Sequence, residues 1–221
     1  MRHPPPSQKS KRPELVVLAI FIVVGLGAWA VWVHRWKAQA AQRDEMFALY
    51  ATASGGDRAS VRRLAEYPSP EATQLIQKLA QDQGAFPEGR LEAISVLRAN
   101  PSVDSKTLAP LLWIDQPFII RRAAAAVFKQ RGCDERCISS TLTALRAIWA
   151  GQPTSEMQAT ALIPSPTSHA QDNLVYFHRQ TEEDYFVLLN SNACLTRKTL
   201  QNDYAADSEF GDKIRNKLGS C

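Results

Sequence analysis

QPFIIRRAAAAVFKQRG, residues 116–132, sets two arginines ahead of four consecutive alanines, then Val127 and Phe128, and closes on a glycine. Alanine favours helix and lets backbones approach closely, so the run reads as a helix packed against more than one neighbour. Val127 and Phe128 are the larger side chains that fill the core. An earlier helix repeats the pattern, with Arg90, Ala93, Val96 and Leu97 each 31 residues before Arg121, Ala124, Val127 and Phe128. The helices in front of these also align, Leu75 with Leu108 and Leu79 with Leu112, at a spacing of 33. The two-residue difference falls in the longer turn DQGAFPEG. A helix-turn-helix unit of this period is the signature of an α-solenoid.

Working outward, residues 40–150 show no strand-like alternation. Asp57 is placed to cap RASVRRLAEY, and Ser69, Pro70 and Glu71 follow one another as an N-cap, a first-turn proline and an early acid opening PEATQLIQKLAQ. Leu75, Ile76 and Leu79 share a face of that helix. EGRLEAISVLRAN, SKTLAPLLW and ERCISSTLTALRAIWAG complete the helical series, the last ended at Gly151.

LAPLLWIDQPFIIRRAAAAVFKQRG, residues 108–132, resembles a HEAT or HEAT-like (PBS-lyase type) repeat. The likeness rests on a Leu-x-Pro-Leu-Leu first helix, an Asp in the turn, a branched residue before Arg, small residues on the second helix and a closing Gly. Residues 74–100 match more weakly, lacking the Pro and the turn Asp. In such families Asp–Arg pairs run as a ladder between repeats. The resemblance therefore implies that Arg121 takes hydrogen bonds to Asp115, the plain alternative being a solvated arginine.

Leu15 to Val33, LVVLAIFIVVGLGAWAVWV, carries no charge, and at about 1.5 Å per residue it spans roughly the 30 Å hydrocarbon layer. Trp29, Trp32 and Trp36 recur near its exit, where indoles favour the membrane interface, and His34, Arg35 and Lys37 mark its end. The small-x-small site Ala38-Gln39-Ala40 raises the rival reading of a cleaved signal peptide. Against it stand a run longer than a signal core and the bulky or basic residues crowding the site. Lys/Arg bias near the membrane ends favours a cytoplasmic N-terminus and an extracytoplasmic body. Net charge is +4, but seven Lys/Arg against Glu14 alone fall in residues 1–43, so the basic character is local and no nucleic-acid partner is implied.

All four cysteines, Cys133, Cys137, Cys194 and Cys221, lie beyond the apolar run, and an even number fits disulfides in an oxidising compartment. Three connectivities are open. Cys133-x-x-x-Cys137 has the look of half a metal site, but no matched second pair exists. A local Cys133–Cys137 bridge, with Cys194–Cys221 pinning the C-terminal segment, is the better structural reading. Neither a nucleophile motif nor a phosphate loop is present, and no cofactor or metal is expected. Glu182, Glu183 and Asp184 form a carboxylate run best read as a solvated turn.

These readings predict an all-α protein, a single transmembrane helix followed by a short α-solenoid of stacked hairpins with an irregular C-terminal cap. The boundaries are a disordered basic tail (1–14), a transmembrane helix (15–36), a helical stalk (37–56), HEAT-like repeats (57–150), a linker (151–171) and a cap (172–221). Within the cap, NLVYFHRQTEEDYFVLLNSN fits either a β-hairpin or a last helical pair. The expected function is a single-pass inner-membrane scaffold that binds lipid through residues 15–33 and an unknown protein through its body. The alternative is a lyase-like enzyme or subunit with a cleft between repeats and cap.

Overall fold

The computed structural model describes residues 12–101, 103–161 and 168–220, with side chains for 24–101, 103–159 and 172–220. Among the described residues every regular element is a helix. Two compact units result, Met1–Ala48 and Leu49–Cys221.

The first unit consists of most of helix α1, Arg12–Ser54. Trp29, Trp32 and Trp36 are each at least 60% exposed, so protein leaves these indoles uncovered. Among the described residues no helix is long and apolar enough to cross a membrane. Of the predicted span 15–33, residues 15–23 are described as helix without their side chains. The tail up to residue 11 lies outside the described residues.

The second unit begins with the last turns of α1, which stop at the Gly55-Gly56 break; Gly56 has φ +97°. Helix α2, Arg58–Ala65, is capped by Asp57, whose carboxylate accepts the Ala59 and Ser60 N–H groups. Helix α3, Pro70–Gln81, starts as its sequence dictates, Ser69 Oγ accepting the Ala72 N–H ahead of a first-turn proline. It buries Ile76 and Leu79, while Leu75 is half-buried. Helix α4 covers Pro87–Ala99. The next predicted helix divides into α5, Ser105–Leu108, and a 3-10 turn, Ala109–Leu112. Pro110 explains the division, because it has no N–H to continue the α ladder. Helix α6, Phe118–Arg131, and α7, Glu135–Trp149, follow, then α8, Ser155–Ala161, and α9, Ser168–Ser191. Helices α10, Ala193–Asp203, and α11, Ser208–Arg215, are the last among the described residues.

Neither alternative for the start of the cap holds: α9 is one continuous helix. The polar RQTEED between its aromatic runs contains no Gly or Pro, and Arg179 and Glu183 form an i,i+4 ion pair across it at 3.1 Å. Thr181, Tyr185, Leu188 and Leu189 then define its buried face.

In packing, the chain alternates between two rows. Helix α4 packs on α6, and α6 on α9; on the other side the 3-10 turn packs on α7, and α7 on α10. Side-chain hydrogen bonds tie these helices and their turns together. Arg62 reaches Glu92 at 2.7 Å, 30 residues on; Gln83 reaches Asp115 at 3.0 Å and Arg98 reaches Gln130 at 2.6 Å, each 32 on; Trp149 reaches Glu182 at 2.9 Å, 33 on. Ala93, Ala124 and Ala125 are wholly buried, as close packing of the second row requires, and Leu97 and Phe128 fill matching core positions. Val127 is fully buried but its counterpart Val96 is not, because Val96 lines a cavity of about 50 Å³ with Leu64, Tyr67 and Ile76.

Candidate functional site

Arg90 and Arg121 are both the fourth residue of their helices, counting from Pro87 and Phe118, and both are at most 2% exposed. Neither helix has a side-chain N-cap. Each arginine instead runs back under its own turn and forward to a residue later in the chain. Arg90 Nε donates to the Ala80 carbonyl at 3.1 Å, and its Nη2 donates to Gln116 Oε1 at 2.5 Å. Arg121 Nη1 donates to the Gln116 and Ile114 carbonyls at 2.5 and 3.3 Å, and its Nη2 donates to Glu156 Oε2 at 3.1 Å. Thr181 Oγ1 lies 3.5 Å from the same nitrogen. A buried polar thread thus runs Ala80, Arg90, Gln116, Arg121, Glu156, which satisfies charges that burial would otherwise penalise.

The expected Asp115–Arg121 pair is not the one formed. Asp115 accepts from Gln83 on the surface, and its charge acts on Arg90 of the preceding hairpin. Burial lowers the Arg90 pKa, and Asp82 and Asp115 oppose that shift without cancelling it. Arg121 finds only main-chain carbonyls in its own turn, so its carboxylate partner comes from beyond it in sequence. Nor is it a solvated arginine.

Glu156 belongs to the segment read as a linker. Its other oxygen accepts the Phe118 N–H at the start of α6, and the Ser155 hydroxyl lies 3.0 Å away. Burial raises the Glu156 pKa, but the Arg121 guanidinium and backbone N–H donors including Phe118 outweigh it, so the carboxyl titrates below its ordinary value. Ser155 also donates through Oγ to the Gln116 carbonyl at 2.9 Å and through N–H to the Ile114 carbonyl at 3.0 Å. Close by, the buried Tyr185 hydroxyl donates to the Leu112 carbonyl, and burial holds that phenol far above its usual pKa. Phe177 stacks on Phe118 with centroids 4.6 Å apart.

The carboxylate run of α9 is structural and lies on a helix. Glu182 accepts the Trp149 indole N–H, Glu183 pairs with Arg179, and Asp184 pairs with Lys129. Cys133 and Cys137 are disulfide-bonded, with Cα atoms 5.3 Å apart, and Asp134 between them caps α7 through the Cys137 N–H. Cys194 is also disulfide-bonded; Cys221 lies outside the described residues. Among the described residues no group of three His, Cys, Asp or Glu side chains is placed to hold a metal. Farther along, Lys217 lies over the Phe186 and Trp149 rings and, with Lys213 and Asn216, lines an open hollow.

Sequence reasoning found Arg121 but missed Gln116, Glu156, Thr181 and Tyr185. The spacing of Thr181 and Tyr185 on one helical face was a usable signal once α9 was read as a helix. No local signal marked Glu156. In comparison with known proteins, the chain matches no family model, no curated protein and no solved structure.

Proposed function

We propose that this all-helical chain is a membrane-anchored, HEAT-like α-solenoid that serves as a protein-interaction scaffold on the extracytoplasmic side. The observation that carries the reading is the matched pair of buried arginines, fourth in their helices and 31 residues apart, each tying its own turn to the next layer. Layered hairpins of this kind offer an extended concave face to a partner. The uncharged run 15–33 and the uncovered Trp29, Trp32 and Trp36 support the bilayer as the other partner. The Cys133–Cys137 bridge and the bonded Cys194 support an oxidising compartment. The lyase-like alternative needs a cleft between repeats and cap, and the contacts of Phe177, Thr181 and Tyr185 with Phe118, Arg121 and Leu112 across that junction favour the scaffold reading over it.

Cell fractionation tests the anchor. The full chain is expected in the carbonate-resistant membrane fraction, and deletion of residues 15–33 moves it to the soluble fraction; a wild-type chain released by carbonate contradicts the reading. Affinity capture of the full chain in detergent then tests the scaffold, with reproducible recovery of a discrete envelope protein expected and none recovered counting against it.

A further inference from the structure

Residues 152–161 form a strap held to the repeats by polar contacts. Of its described side chains only Thr154 is buried, and it brings in nothing aliphatic or aromatic larger than the half-buried Met157. Helix α6, by contrast, buries Phe118, Ile120, Val127 and Phe128. Hydrogen bonds exchange readily for bonds to water, whereas apolar burial has no such substitute, so the strap is the more weakly held of the two.

The cradle that receives Glu156 belongs to the body. Arg121 Nη1 is fixed by the Ile114 and Gln116 carbonyls, which leaves Nη2 directed at the strap. Beside it the Phe118 N–H opens a 14-residue helix, so a cation and a helix N-terminus converge on the two oxygens of one carboxylate. Arg121 Nε is buried with no hydrogen-bond partner among the described residues, so the guanidinium depends the more on the carboxylate that meets Nη2. The matching arginine needs no such partner, since Arg90 Nη2 is met by the neutral amide of Gln116. Lifting the strap without replacing its carboxylate strands a buried guanidinium, and an incoming carboxylate removes that penalty.

We propose that the Arg121–Phe118 cradle is a carboxylate-recognition site that Glu156 occupies in cis, and that an acidic side chain of a partner protein displaces the strap to bind there. The inference deepens the scaffold reading and rests on it only for the partner being a protein.

Glu156→Ala in the full chain vacates the cradle, and the probe is a fluorescent peptide of residues 152–161, QPTSEMQATA, alongside a version with glutamine at the glutamate. The peptide is expected to bind Glu156→Ala at least about tenfold more tightly than wild type, whose own strap competes, and the glutamine version loses the gain. Equal binding to both chains, or of both peptides, overturns the proposal. Should Glu156→Ala not fold, Glu156→Gln carries the same measurement. Sodium formate added to the folded variant raises its thermal midpoint saturably and beyond its effect on wild type; a midpoint indifferent to formate overturns the proposal as well. A chain that captures no protein but passes these tests sinks the scaffold reading and leaves the cradle standing.

Discussion

Helices α4 and α6 run the same pattern in two settings. Arg90 and Arg121, Ala93 and Ala124, Leu97 and Phe128 coincide in burial, yet Gly89 stands where α6 has Ile120, and a neutral Gln116 stands where the next layer supplies Glu156. The difference teaches that the buried face of each helix is set by its own residues, whereas the polar partner of its arginine is set by whatever packs next. Arg90 meets an amide, that of Gln116, whereas Arg121 meets the strap through an ion pair with Glu156.

The largest break in this comparison is expected from the arginines. Arg121→Met leaves Glu156 without its cation and is expected to cost about 3 kcal/mol, the low end for a broken buried pair because Glu156 keeps some solvent. Arg90→Met leaves only an amide and a carbonyl, and about 1–2 kcal/mol is expected. Denaturant unfolding of the two variants measures the gap; equal losses would erase the distinction between the seams.

Gly89 sharpens the comparison at nearly the same scale. A Cβ there overlaps the Ala53 carbonyl oxygen, which is backbone and cannot swing away. Gly89→Ala is expected to destabilise by about 2–3 kcal/mol, as overpacking does. Gly132 is different: open space surrounds it, but its φ of +92° disfavours any side chain. Gly132→Ala is expected to cost about 1 kcal/mol through backbone strain alone. Thermal unfolding ranks the two.

The disulfide comes next. It closes a loop of only five residues at the entry to α7, so reduction is expected to remove about 2 kcal/mol in the chain-entropy model. Unfolding of Cys137→Ser against wild type, each with and without reductant, isolates it from the Cys194 bond.

Smallest is the pH response. The Glu156 pKa is lowered in the folded chain, so its contribution is complete above the unfolded value near 4.5 and is lost as pH falls through the folded value. Glu156→Gln is expected to flatten stability against pH on that acid limb and, between pH 6 and 8, to lower it by a constant amount without changing its slope; an unaltered acid limb would mean the carboxylate carries no linkage.

How much of this was legible follows the same division. Helix starts at Asp57 and Ser69 and the break at Gly55-Gly56 were readable because each depends on residues close in sequence. Arg121 could be singled out, but its partner could not, since Asp115 turns to Gln83 and the carboxylate that answers Arg121 lies 35 residues on. Composition marked that segment as a linker, and composition reports the lack of apolar anchors correctly while being blind to polar docking. Continuous α9 is hidden in the sequence because a polar stretch resembles a turn, although polarity without Gly or Pro only marks the solvent face of a helix.

The central claim, that Arg121 joins α6 to the strap as one thread, is tested most directly by a double-mutant cycle of Arg121→Met and Glu156→Gln in the full chain, followed by equilibrium unfolding. A coupling energy of about 2–3 kcal/mol is predicted, the double variant losing much less than the sum of the singles. Additive losses would contradict it.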